Sequence, residues 1–356
     1  MMNDVERLTE REKDILLAVL HQYILKGEPV GSRTISQLDK FDVSSATIRN
    51  VMGSLEERGY LLQPHTSAGR IPTDKAYRFL VNNLVASELL TENEKAAVRE
   101  GIEARMLNRK ELLVSATELL SSMTRFAGLV LSPHLAQWRL RRLELIALAI
   151  RKIMVVIVSD AGLVNNRIVE MEKHLDQEHL NRLSRFMNEH FVGLTMNEIR
   201  LRLLVMMSKD KLRYDQLMAD AVAVGGRAFE DIPDSEVYID GAVNLFVQAD
   251  LKTEMTMQEL YRAFTEKVML VKILNRCLNE EDPAIYIGRE KPELGDLSVV
   301  ASKYYYKDRV MGTLGVIGPT RMPYPKVIAL VDFTARTLSR IMSRDETILV
   351  DGSDIR

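Results

Sequence analysis

The chain has 356 residues, 48 Lys and Arg against 50 Asp and Glu, a formal net charge of −2 and a single cysteine. At 46% hydrophobic and 28% charged it has the apolar content for packed cores, which excludes a disordered chain, and its length suggests about two or three domains. Cys277 alone excludes an internal disulfide framework and a cysteine-based zinc finger, the charged start MMNDVERLTEREKD does not read as a secretory signal, and apolar runs such as Leu143 to Ile150 fall far short of the roughly 20 residues that span a bilayer. The expectation is a cytoplasmic, multidomain protein without a membrane partner. Near-neutral overall charge weighs against a nucleic-acid partner unless charge is segregated along the chain.

Thr9 and Glu12 form a capping box before a run in which Ile15, Leu16, Val19, Leu20, Tyr23 and Ile24 recur at helical spacing, and Gly27 and Pro29 end it. Ser32 is placed to cap a short second helix over 33–38. Ser44 is placed to cap a third, with Ile48, Met52 and Leu55 on one face and Gly59 after its end. Tyr60-Leu61-Leu62 reads as a strand, 64–70 as a turn, and Ile71-Pro72 as the return strand. Thr73 then caps a fourth helix with Tyr77, Leu80 and Leu84 inward. Helix, helix, helix, strand, turn, strand, helix is a winged helix-turn-helix order over residues 1–88. A further box, Thr91 with Glu94, opens one long connecting helix over 89–125, with Val98, Ile102, Met106, Leu113, Ala116 and Leu120 inward.

From Phe126 the period changes to strands at Ala127 to Leu131, Leu140 to Ile150 and Ile153 to Val158, then a turn at 160–162 and a strand from Val164. A helix follows through His190. Thr195 with Glu198 opens a mostly helical stretch, and Val237 to Ile239, Asp240-Gly241 and Ala242 to Val247 read as a second hairpin. Thr256 with Glu259 starts a helix pair, strands resume at 284–287, 297–304 and 310–317, and a helix over 323–343 closes the chain. The fold class is α+β. An antiparallel α+β domain is expected over 126–194 and 281–345, split by an inserted domain at 195–280.

Ser44, Ser45, Thr47, Arg49 and Asn50 stand at the N-terminal end of the third helix, where a helix-turn-helix meets base edges in the major groove. Arg suits guanine, Asn suits adenine, and short hydroxyls suit either. An ordinary cap at Ser44 and a surface ion pair at Arg49 explain the same residues equally well. At the wing, His65, Thr66, Ser67 and Arg70 surround a turn, and Lys75 and Arg78 follow on the next helix, a set suited to phosphate or the minor groove. Residues 1–28 hold four basic and six acidic side chains, whereas 65–80 hold three basic and one acidic. Local charge therefore allows a DNA contact within a neutral first domain.

The segments Gly27-Glu28-Pro29-Val30-Gly31-Ser32-Arg33-Thr34, Ser45-Ala46-Thr47-Ile48-Arg49-Asn50 and PHTSAGRIPTDKAYR resemble the HrcA family of bacterial heat-inducible transcription repressors. So does 310–322, VMGTLGVIGPTRM. One departure is Val51, where the family usually continues Asn-Glu-Met. The resemblance implies a winged-helix domain, a GAF-like domain and a dimerisation domain inserted in it. It also implies repression of chaperone operons through an inverted-repeat operator on double-stranded DNA, bound by a homodimer, with the chaperonin GroEL as modulator. A metabolite-sensing regulator with a ligand-binding GAF-like domain is the alternative.

Other features point away from chemistry. Gly312, Gly315 and Gly318 match no phosphate-loop pattern and read as glycines of a packed strand, and the six histidines lack metal-ligand spacing. Tyr304-Tyr305-Tyr306 reads as alternating strand aromatics, Arg139, Arg141 and Arg142 as the solvated face of a strand, and Cys277 as a buried apolar residue. No nucleophile, base and orienter assemble, and neither a catalytic site nor a cofactor or metal is expected.

Overall fold

A computed structural model of the protein describes residues 8–65, 68–83, 90–104, 109–132, 138–160, 162, 164–207, 216–229, 237–247 and 268–344. The first helix, α1 (Glu10–Lys26), opens on the expected box: Thr9 N donates to Glu12 Oε2 at 2.8 Å and Glu12 N donates to Thr9 Oγ1 at 3.3 Å. It closes on Gly27 at φ 71°, a left-handed cap that glycine adopts without steric cost. Helix α2 (Ser32–Ser36) differs from its reading, because Gly31 is the N-cap and Ser32 is the first helical residue. Ser44 caps α3 (Ser45–Glu57) by accepting from Thr47 N at 3.2 Å. Strands β1 (Leu61–Leu62) and β2 (Ile71–Pro72) pair antiparallel, and α4 (Asp74–Asn82) follows. Ile15, Leu16, Ile35, Ile48, Met52, Leu55 and Tyr77 form the buried centre of this unit. Leu84 lies outside the described residues.

The single connecting helix is instead two, α5 (Glu92–Glu103) and α6 (Arg109–Thr124). A Cβ on Gly101 would lie 2.7 Å from Leu119 Cδ1, whereas positions that far apart on one straight helix would be separated by about 27 Å. The pair therefore folds back on itself and contributes Val98, Ile102, Leu112, Leu113 and Ala116 to the main core. The apolar stripe is continuous in sequence, so periodicity alone gave no sign of the break.

Strands β3 (Ala127–Leu131), β7 (Val237–Asp240), β8 (Ala284–Tyr286), β9 (Leu297–Tyr306) and β10 (Arg309–Pro319) make one antiparallel sheet in the order β7-β3-β10-β9-β8. Helix α6 packs on β3, β7 and β10, α11 (Val268–Cys277) on β10 and β9, and α12 (Tyr324–Arg344) on β9 and α5. Backbone proximity accounts for the glycines: a Cβ at Gly128 would fall 2.2 Å from Thr117 O, and one at Gly315 would fall 2.2 Å from Val300 O. Tyr304 and Tyr306 are buried and Tyr305 between them is half-buried, the alternation expected of a strand. Cys277 is buried, and removal from water pushes its thiol up to about 12.

The second core differs from the expected insertion. Strands β4 (Leu140–Ala149), β5 (Lys152–Ser159) and β6 (Val164–Glu170) form a separate sheet, and they share a core with α7 (Gln177–Phe191), α8 (Met196–Met207) and α9 (Gln216–Phe229). The chain leaves the large sheet after β3 and returns as β7, with Leu131 and Val237 in register. The body between them therefore covers 140–229 rather than 195–280. β4–β6 fall inside it because Leu143, Leu145, Val155 and Ile157 pack with Leu183, Met187 and Ile199, and not with the first sheet. The expected hairpin at 237–247 is also absent: β7 pairs with β3, and Ala242–Val247 is a helix, α10. The capping box at Thr256 lies outside the described residues.

The edge strand β4 is covered by polar side chains of α7. Asn188 accepts from Leu143 N at 2.8 Å and donates to Leu143 O at 2.7 Å, and Ser184 Oγ accepts from Leu145 N at 3.0 Å. That satisfies backbone groups an open edge would leave for another chain. His179 Nε2 lies 2.8 Å from Asp220, whose other oxygen is 2.6 Å from Lys173 Nζ, joining α7 to α9. On the opposite face of this sheet Ile146, Met154 and Ile168 stand side by side in register, and Ile146 and Ile168 are 39% and 45% exposed. No helix of the described residues is long and apolar enough to cross a membrane.

Candidate nucleic-acid interface

Burial sorts α3 into two faces. Ile48, Met52 and Leu55 are fully buried, while Ser45, Arg49 and Asn50 are exposed on the other side. The side chains of Arg49 and Asn50 make no hydrogen bond or ion pair among the described residues, so both heads are available to an external partner. Ser44 and Thr47 are less available: their hydroxyls lie 3.0 Å apart, and Ser44 also holds the cap. Val51, the departure from the family pattern, is partly buried against the core and does not belong to the exposed face.

Helix α3 is fixed to α1 through Glu12. Its carboxylate completes the capping box, accepts from Ser54 Oγ at 3.1 Å, and accepts from Arg58 Nη1 at 3.2 Å on both oxygens. The amide of Thr9, ahead of the Ser54 and Arg58 contacts, holds this carboxyl below its ordinary range. Sequence shows the box, but nothing in it signals the second role, because Arg58 is 46 positions away.

The wing is equally anchored. Arg70 and Val30 exchange both backbone hydrogen bonds at 2.9 Å, joining the wing to the loop between α1 and α2. The neighbouring Gly69 is pressed onto that loop, where a Cβ would meet Val30 C and O at 2.5 Å. Ala68 N donates to His65 O at 2.9 Å, closing the tip, and His65 is exposed. Thr66 and Ser67 lie outside the described residues.

The three basic side chains of the wing region do not share one fate. Arg70 Nε donates to Glu56 Oε2 at 2.8 Å and is only 16% exposed. Lys75 is exposed, donates to Arg58 O at 3.2 Å and sits 4.6 Å above the Tyr60 ring. Arg78 turns away from the wing and binds Glu290 and Ile285 O in the C-terminal part of the chain. Arg70 and Arg78 were expected as DNA contacts, but both are engaged within the protein. The outward set is Ser45, Arg49, Asn50, His65 and Lys75.

The segment that carries this exposed polar stripe, from α1 through the wing, matches a known DNA-binding domain in sequence. Residues 7–85 match the model for the winged helix-turn-helix transcription repressor HrcA, DNA-binding, and residues 110–328 match the model for the HrcA protein C-terminal domain. A heat-inducible transcription repressor HrcA from Geobacter sulfurreducens is 40% identical over 337 residues, covering 94% of this chain and 98% of the relative. One from Syntrophobacter fumaroxidans is 40% identical over 339 residues, covering 94% and 97%. The chain belongs to the HrcA family. A solved structure titled only as a hypothetical protein at 2.2 Å resolution has the same fold, with a TM-score of 0.64 at 24% identity, covering 95% of this chain and 99% of that one. As an HrcA-family chain it is a heat-inducible transcription repressor with a winged-helix DNA-binding domain on an α+β body.

Proposed function

We propose that this HrcA-family protein binds an inverted-repeat operator as a homodimer, represses chaperone operons, and is modulated by the chaperonin GroEL. The unpartnered stripe of Ser45, Arg49 and Asn50 on α3 carries the reading, because these types read base edges and nothing inside the described protein occupies them. Arg49 is assigned to a guanine edge, Asn50 to an adenine edge, and Lys75 and His65 to the backbone on either side. The protein acts by occupying DNA in the cytoplasm, at the nucleoid when bound, and we assign it no catalytic step or cofactor.

The apolar outer face of β4–β6, with Ile146, Met154 and Ile168 aligned across three strands, supports a second copy as its cover. An exposed contiguous apolar face on a sheet is costly in water and is stabilised by burial in a symmetric contact. The two separate cores support the heat response: they need not open together, so local opening at the inserted body or its docking could disperse half-site geometry below global unfolding. Chaperonin captures the opened form by mass action.

The test is fluorescence anisotropy with an inverted repeat from upstream of a chaperone operon against scrambled DNA, across salt and temperature, with and without GroEL. The expected result is tight, salt-steep binding to the repeat that weakens in the heat-shock range and responds to GroEL. Equal affinity for both duplexes overturns the reading.

A further inference from the structure

The helix after the wing carries two residues that bind one short turn more than 200 positions away. Arg78 Nε donates to Glu290 Oε1 at 2.7 Å, its Nη2 binds the other oxygen of Glu290, and the same nitrogen donates to Ile285 O at 2.7 Å. One helical turn earlier, Asp74 Oδ2 accepts from Arg289 N at 3.0 Å. Positions four apart lie on one face of a helix, so α4 presents both to the turn at 288–290. The turn is shaped to receive them. Gly288 has φ 50°, and a Cβ there would sit 2.5 Å from Asp74 Oδ2. Glu290 is itself held in place, since its carboxylate also accepts from Ile287 N at 3.0 Å.

A planar guanidinium bonded twice to a carboxylate and once to a carbonyl restricts rotation as well as distance. A second anchor lies on α1, where Arg321 Nη1 donates to Ile24 O at 2.9 Å. Two anchors on different helices define the angle of the winged helix relative to the body. Helix α3, which carries the exposed stripe, packs on α1 and α2, so it moves with that angle.

We propose that Glu290 is a positioning residue for operator binding: through Arg78 it fixes the angle at which the winged helix is presented. This rests on the reading that two copies bind one inverted repeat. Two reading helices on a single duplex must match half-sites set by the DNA pitch, whereas one helix on one half-site has no such requirement. A loosened angle is penalised only when both sites are engaged, because linked binding depends on geometry that lets both engage together.

The full-length protein and its Glu290→Gln variant are titrated by anisotropy with a complete inverted repeat and with a duplex holding one half-site. The expected result is a roughly tenfold loss on the complete repeat, with half-site affinity within about twofold. The exchanged pair, Arg78→Glu with Glu290→Arg, is expected to restore the ratio of the two affinities. An unchanged ratio in Glu290→Gln overturns the proposal, whatever the melting temperature does. Failure of the exchanged pair to restore it also overturns the proposal. If the unmodified protein itself fails to prefer the complete repeat, the inverted-repeat reading falls instead.

Discussion

Arg70 of the wing and Glu56 of the reading helix are joined by a 2.8 Å hydrogen-bonded ion pair in which the arginine is only 16% exposed and the glutamate 31%. Together with the backbone exchange between Arg70 and Val30, this makes Arg70 a strut between wing, helix α3 and the loop after α1. Arg49, seven positions before Glu56, has no such tie among the described residues. Arg70→Ala is therefore expected to lower stability by about 1 kcal/mol, the usual scale for a partly buried charged pair. Arg49→Ala leaves melting unchanged, weakens operator binding by about 1–3 kcal/mol and relaxes the preference at the base it reads, without the fall in salt slope that loss of a phosphate contact brings. Thermal melting and salt-dependent anisotropy on both variants check this.

Glu12 serves the cap of α1 and the clamp on α3 at once, with its side chain 12% exposed. Loss of a cap costs about 1 kcal/mol, and a partly buried charged hydrogen bond costs about as much again. Glu12→Ala is expected to destabilise the protein by roughly 2 kcal/mol in urea unfolding. Glu12→Gln, which keeps an acceptor oxygen, should cost less.

Glycine at 315 is required by distance rather than by dihedral angle, since an added Cβ would lie 2.2 Å from Val300 O of the neighbouring strand. Gly315→Ala forces β9 and β10 apart, and the expected loss is about 1–3 kcal/mol, the range for overpacking. At Gly53, where nothing lies within 4 Å of the added atom, the same change meets no such contact and stabilises through helix propensity.

Glu94 caps α5 and binds Lys326 of α12, and that hydrogen bond, followed by the one from the Thr91 amide, lowers its carboxyl from 4.5 to about 2. A depressed carboxyl adds stability that is complete above the unfolded value and is lost as pH falls through the folded one. The difference in melting temperature between the unmodified protein and Glu94→Gln is therefore expected to be constant above pH 4.5 and to shrink between 4.5 and about 2. A difference independent of pH in that window would contradict this assignment.

Much of the first domain is legible in sequence because its signals are local. Thr9 with Glu12, Ser44 before Ile48, and Gly27 and Gly59 at helix ends act within a turn of where they stand. What the sequence conceals is pairing at a distance. Asp240-Gly241 after a short β run looks like a hairpin turn, yet β7 finds its partner in β3, more than 100 residues back, and the chain turns into a helix. Helix α7 is joined to β4 by Asn188 and Ser184, contacts that no periodicity reports, and the boundary drawn after it consequently fell inside a core. The candidate site shows the same division. The exposed face of α3 follows from helical spacing, whereas the commitments of Arg70 and Arg78 depend on carboxylates 14 and 212 positions away.

Leu131 and Val237, the residues between which the second body is inserted, are register partners on adjacent strands. Such partners have Cα atoms about 5 Å apart, so topologically that body is an enlarged loop of one hairpin. A twist applied to it reaches the large sheet through β3 and β7 as a pair, leaving their alignment intact, and through the Asp160–Arg309 ion pair at 2.7 Å. A chain with a short turn in its place would still close the same sheet. The part proposed to join two copies can therefore be resized without unmaking the sheet that carries the winged helix, and each such change resets the distance between the two reading helices.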